Sequence, residues 1–235
     1  MSRAARWAFG INAAVAWVSL ALQFAMSASG AVPFTPASPS AFGWNAPGAA
    51  GAPGRVLDFL SYFTIWSNIV VAVVMTMLAL SPTVVTTWRR VLRLDALIMI
   101  VVTGLVYAVV LAPLYHPTGW SAVANSGLHQ VTPVLTVLVW LVFGPRGWLD
   151  LRLVLPSLVI PLVWLVLTLL RGAVISAYPY PFIDVVSLGY GRVAANVAGV
   201  LVVGVVVALV VVGVDRVLSR RSVRGSSEQN DSVRR

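Results

Sequence analysis

Cysteine and lysine are missing from the 235 residues, and there are only two histidines and seven acidic residues. Without cysteine there is no disulfide, no thiolate nucleophile and no thiolate metal site. Without lysine there is no Schiff base to a retinal-type or pyridoxal-type group. A spanning cytochrome needs paired axial histidines, and of the two here His116 falls in a loop between apolar runs. No cofactor and no metal is therefore expected. Charge is scarce as well: charged residues make up 10% of the chain and hydrophobic residues 59%. A mean hydropathy of +0.92 excludes an ordinary water-soluble domain.

The hydrophobic residues form six long runs, at 7–26, 58–80, 94–115, 122–143, 153–175 and 193–214. Runs of this length match the ~20 residues that a helix needs to cross a ~30 Å hydrocarbon core. Barrel strands are about half as long and alternate in polarity. The fold class expected is an all-α integral membrane protein with six transmembrane helices. Residues 1–217 form its membrane domain, with a flexible extracytoplasmic loop at 27–57, and residues 218–235 form a disordered basic tail.

All sixteen basic residues are arginines, and the net charge is +9. Thirteen lie on one side of the six runs, before the first run, after the second and fourth, and after the sixth. Only Arg55, Arg171 and Arg192 lie on the other. This asymmetry is the positive-inside signature and places both termini in the cytoplasm. It also accounts for the charge without nucleic acid, and the tail is suited to anionic lipid headgroups. The bias toward Ala, Val, Gly, Pro and Arg is that of a GC-rich bacterial genome, which makes the expected location a bacterial inner membrane. Arg3 and Arg6, the first apolar run and the small residues Ser27-Ala28-Ser29 also resemble a signal peptide. A run of about 20 residues exceeds the usual apolar core of a signal, so a retained helix is expected.

The loop at 27–57 is rich in Pro, Gly, Ala and Ser and shows no apolar periodicity, which reads as a cap or lid. The loop before the last run carries Tyr178-Pro179-Tyr180-Pro181-Phe182, a stiff amphipathic stretch that reads as an anchor at the headgroup zone. In the sixth run Ala195 and Gly199, and then Gly204 and Ala208, stand at i, i+4 and permit close helix packing or a homo-oligomer.

Two runs carry polar stripes. In the second, Ser61, Thr64 and Asn68 fall at i, i+3 and i+7 with Ser67 on their flank. In the fourth, Asn125, His129 and Thr132 share a face, and Pro133 removes the amide that would bond the carbonyl of His129. A titratable side chain inside a membrane segment is costly and marks a functional site by default. Counted from the same side, Thr64 and His129 lie about 9 and 12 Å deep, level within one helical turn. A threonine hydroxyl becomes a nucleophile when a neighbouring imidazole takes its proton. The Asn68 or Asn125 amide would then steady a developing oxyanion, and Asp58 or Asp184 would orient the ring. The alternative is that the stripes are polar glue between helices, or line the pocket of a non-catalytic lipid or small-molecule binding or transport protein.

Three motifs resemble the androgen-induced-protein family of multi-spanning membrane hydrolases. They are Tyr62-Phe63-Thr64 in the second run, Asn125-x-x-x-His129 followed by Pro133, and Tyr180-Pro181-Phe182 with Asn196 in the last run. The likeness covers residues 58 to 200. Ser67-Asn68 is like the bacterial branch, whereas the long loop at 27–57 is unlike the animal proteins. The resemblance implies a lipid-ester hydrolase acting on fatty-acid esters of hydroxy fatty acids, with Thr64 as nucleophile and His129 as base. Membrane lipids are its implied partners.

Overall fold

The computed structural model describes residues 1–31 and 38–233, with side chains to residue 220. Among these residues every regular element is helical, and there is no strand. Its helices are α1 (Arg3–Ser29), α2 (Ala52–Leu60), α3 (Phe63–Leu80), α4 (Thr87–Val106), α5 (Gly119–Ser126), α6 (Thr132–Phe143), α7 (Val159–Ile175) and α8 (Val185–Val233). A π turn, Tyr107–Leu111, extends α4, and another, Gly127–Val131, joins α5 to α6 in one continuous span. Six helical stretches are long and apolar enough to cross a membrane.

Caps explain why several helices outrun the hydrophobic segments that announce them. The fourth helix begins at Thr87 rather than 94 because the Thr86 hydroxyl accepts from the Arg89 amide (3.4 Å). The last begins at Val185 rather than 193 because the Asp184 carboxylate accepts from the amides of Val186 (3.0 Å) and Ser187 (3.2 Å). Both are N-cap bonds that satisfy orphan helix amides. Gly189, at φ 72° and ψ 160°, interrupts α8 near its start in a conformation suited to glycine. At the other end α8 runs to Val233. Pro33, Pro36, Arg234 and Arg235 lie outside the described residues.

The second run is not one helix, contrary to the expectation of a continuous segment over 58–80. α2 ends at Leu60 and α3 begins at Phe63, with Tyr62 in extended backbone (φ −81°, ψ 131°) between them. Carbonyls released at a helix end need new donors, and two indoles supply them. Trp66 Nε1 donates to Leu60 O (2.7 Å) and Trp164 Nε1 to Ser61 O (2.9 Å). The break puts Thr64 in the first turn of a new helix and takes Ser61 off its face.

The core is built around α1, α3, α4 and α6. Phe9, Ala16, Val71, Met75, Ala96, Ile100 and Leu128 form its main cluster. The small side chains Ala13, Ala16, Ala72 and Ala96 are buried and let these helices approach closely. Asn12 of α1 and Thr136 of α6 are fully buried and bond to each other, Nδ2 to Oγ1 at 3.1 Å. One face of α1 thus packs into the bundle, while Trp7, Ile11 and Val18 on the other are exposed. Helix α8 packs on α4 through Leu94, Leu97, Ala208 and Val212. Helix α7 is peripheral, and Trp164 joins it to Tyr180, Ile183 and Val193.

One end of the bundle carries α2 and the segment before α8. There the loop expected to be flexible is tied down from residue 38 onward. Phe42 N bonds Tyr178 O (3.2 Å) and Tyr178 N bonds Ser40 O (2.8 Å). Asp58 accepts from Gly43 N (3.1 Å) and Asn45 Nδ2 (2.7 Å) and pairs with Arg171 (2.6 Å), whose guanidinium lies over the Phe42 ring. This strap closes over the site described next.

Candidate functional site

Thr64 and His129 meet beneath that strap. Thr64 Oγ1 lies 3.0 Å from His129 Nε2. The other ring nitrogen, Nδ1, lies 3.1 Å from the Asn125 carbonyl one turn back. A carbonyl can only accept, so in the neutral ring Nδ1 carries the hydrogen and Nε2 is left as an acceptor. The Thr64 hydroxyl therefore donates to Nε2, which is the polarity a general base requires. Tyr107 stacks on the ring, with centroids 4.4 Å apart and planes 26° from parallel. Its hydroxyl in turn accepts from Asn125 Nδ2 at 2.6 Å.

The π turn sets this geometry. Thr132 N reaches back five residues to Gly127 O, one more than in an α-helix. Such turns accommodate a residue that an α-helix cannot take up, and Pro133 is one. Close neighbours hold it in place. A Cβ on Gly104 would stand 3.2 Å from Pro133 Cβ, and Gly127 faces Ser19 of α1 with no room for a side chain.

The start of α3 supplies the other half. Thr64 N donates to Tyr180 OH (3.3 Å), and that hydroxyl lies 3.4 Å from Thr64 Oγ1. Tyr180 stands in the segment before α8, and its burial pushes the phenol above its ordinary range, so it stays protonated and able to donate. A T-shaped aromatic column holds it, Phe42 on Tyr62 on Tyr180, with centroids 5.9 and 5.7 Å apart. Tyr180 was read from sequence as an interface anchor. Its place at the N-terminus of α3 depends on the break at Ser61–Tyr62, which no proline or glycine announces.

The remaining candidates divide between this site and its surroundings. Asn68 Nδ2 donates to Thr64 O (2.8 Å) and Leu128 O (3.1 Å), joining the two halves. Ser67 Oγ bonds Thr64 O (2.9 Å) and Thr103 Oγ1 (2.8 Å) on α4. Asn68 has no N–H left for an oxyanion, contrary to expectation, because it spends both on carbonyls, and one N–H of Asn125 is spent on Tyr107. Ser61 lies away from the dyad, its hydroxyl donating to Leu57 O (2.7 Å) and accepting from Arg171 (3.0 Å). Neither carboxylate orients the imidazole: Asp58 pairs with Arg171, and Asp184 caps α8. Asp184 also accepts from Ser40 (2.5 Å) and Ser187 (2.6 Å). Burial alone would raise its pKa, but these hydrogen bonds outweigh burial and hold the carboxyl below its ordinary range. The Asn125 carbonyl, a backbone atom that residue type does not announce, does the orienting.

Thr64, Thr103 and Tyr180 border a cavity of about 60 Å³ whose other walls are apolar. Comparison with models of known families, with curated proteins and with solved structures found no match.

Proposed function

We propose that this chain is a membrane-embedded lipid-ester hydrolase with Thr64 as nucleophile and His129 as general base. The observation that carries the reading is the 3.0 Å contact from Thr64 Oγ1 to His129 Nε2, with the opposite nitrogen held by a backbone carbonyl. A nucleophile, a base and a group that orients the base are the parts that acyl transfer needs.

In this mechanism Thr64 Oγ attacks the ester carbonyl carbon while its proton passes to His129 Nε2. The Tyr180 hydroxyl donates to the developing oxyanion. As the tetrahedral species collapses, the carbon–oxygen bond to the alcohol breaks and His129 returns the proton to the leaving alkoxide. Water then attacks the acyl-threonine and gives a proton to Nε2. Collapse releases the carboxylic acid and returns the proton to Thr64.

The membrane setting rests on the six apolar helices together with their exposed faces. Val109, Leu155 and Val174 are each more than 70% exposed. The arginine asymmetry puts both termini in the cytoplasm and the Thr64 end of the bundle on the opposite side. The compositional bias favours a bacterial inner membrane. The motifs around Thr64, His129 and Tyr180 support kinship with the androgen-induced-protein family, and with it fatty-acid esters of hydroxy fatty acids as substrates.

Labelling of the purified protein with a fluorophosphonate tests the assignment. The wild type is expected to label, and Thr64→Ala and His129→Ala are not. Labelling that persists in Thr64→Ala would remove the nucleophile. A wild type that neither labels nor turns over an ester is a lipid-binding protein whose pocket is the same cluster.

A further inference from the structure

The cavity beside Thr64 has a neighbour. A second cavity, of about 70 Å³, shares Phe63, Val102, Trp164, Phe182 and Val200 with it, so the two adjoin along an apolar slot walled mainly by α4, α7 and α8. The far end is bounded by Ile98, Leu158, Pro161 and Gly204, and no charged side chain lines either part. Apolar surface of this kind favours apolar ligands over water.

The depth of the slot follows from helix geometry. Ser67 lies three residues below Thr64 and bonds Thr103 on α4, and Ile98 lies five residues further along α4. At 1.5 Å per residue the far end is about 12 Å from Thr64, roughly the length of an eight- to ten-carbon chain. A glycine inside a helix costs about 1 kcal/mol relative to alanine, and Gly204 sits within the valine-rich stretch of α8. A Cβ there would meet Ile98 Cγ2 at 3.7 Å, an ordinary contact. Any bulk beyond that Cβ would enter the slot.

We infer that this slot receives the acyl chain of the ester and that Gly204 sets the length of chain it accepts. The inference rests on the hydrolase reading, and names the part of the substrate that faces away from Thr64. A tail running inward from Thr64 leaves the carbonyl between Thr64 and Tyr180.

The test compares wild type and Gly204→Phe, as full chains in detergent micelles, on the p-nitrophenyl esters of butyrate, octanoate and dodecanoate. The ratio of kcat/KM for dodecanoate to that for butyrate is expected to fall about ten-fold or more, mostly through KM, in keeping with the discrimination one methylene provides in an apolar pocket. An unchanged ratio overturns the inference. A second measurement needs neither turnover nor a variant: photolabelling of the wild type with dodecanoic acid carrying a terminal diazirine, followed by peptide mapping. Label is expected around Ile98–Val102 of α4 and Val200–Gly204 of α8, and label confined to other helices overturns the slot. Label in the slot with no ester turnover would overturn the hydrolase and keep the chain-binding slot.

Discussion

The two ends of the bundle use polar side chains in opposite ways. At the end carrying the 81–86 and 144–150 loops, arginines spend their donors on carbonyls at helix ends and loops. Arg89 bonds Met77 O (2.6 Å), Arg90 bonds Trp148 O (2.5 Å), Arg93 bonds Pro145 O (3.0 Å), and Arg146 bonds Trp140 O and Leu141 O. Asp215 takes the Leu149 amide (3.1 Å). Most of these bonds finish a piece of backbone, although Arg90 also pairs with Asp150 (2.8 Å) and neither carboxylate oxygen of buried Asp95 has a hydrogen-bond partner among the described residues. At the other end Asn68, Ser67 and the Asn125 carbonyl also finish backbone or fix a ring, but they leave one hydroxyl aimed at one imidazole. The arginines at the first end serve the fold, while at the second end a hydroxyl and an imidazole face each other. The division predicts that damage at the two ends will be felt in different measurements.

The largest effect is expected at the dyad. Thr64→Ala and His129→Ala should each lower kcat/KM for an ester by on the order of 10⁴, as removal of a member of a catalytic unit does. Their thermal unfolding in detergent should stay close to that of wild type. A large loss of stability in both variants would make the pair structural and erase the contrast between the ends. At the arginine end the reverse is expected. Arg93 is buried, its guanidinium 5.5 Å from the Trp148 ring centroid. Arg93→Ala removes both the cap on Pro145 O and the packed stem, and should cost about 3 kcal/mol of stability. The protein that remains folded should keep its kcat.

Tyr180→Phe is intermediate: it keeps the aromatic column and deletes one donor. A loss of about 10- to 100-fold in kcat, with KM little changed, is expected if the hydroxyl stabilises the oxyanion. A change confined to KM would make Tyr180 a positioning group. The smallest effect belongs to Asp184: asparagine still caps the helix, so Asp184→Asn should cost only about 0.5 kcal/mol at neutral pH, the worth of a negative charge at a helix N-terminus. Its folded pKa is depressed, so its contribution is present above the ordinary aspartate pKa of about 3.9 and is lost as pH falls through the lower folded value. The stability gap between wild type and Asp184→Asn, followed by melting at neutral and acid pH, should therefore close in acid.

The pairing of depths was legible because helix rise is constant: Thr64 and His129 could be counted to the same level from the ends of their runs. That they touch was not legible, since counting gives height and says nothing of azimuth. The six apolar helices could be read from run length for the same reason. The break at Ser61–Tyr62 could not, because it depends on Trp66 and Trp164, the second of them 103 residues away along the chain from Ser61. The i, i+4 spacing puts Asn125 near His129, but the atom that meets the ring is the carbonyl every residue has. Tyr180 shared its signature with any interfacial aromatic, and only the tertiary fold separates the two roles.

The π turn at Gly127–Val131 has a consequence for register. Each residue of a helix turns the next by about 100°, so an extra residue in one turn rotates everything beyond it by that angle relative to an uninterrupted helix. Asn125 and His129 are thereby aimed at α3 and α4, while Thr136, on the same span, is aimed at Asn12 of α1. A regular helix of the same sequence could satisfy one of these two neighbourhoods only. Deleting a single residue between 127 and 131 would straighten the span and force that choice, and the protein would keep either its buried Asn12–Thr136 pair or its dyad.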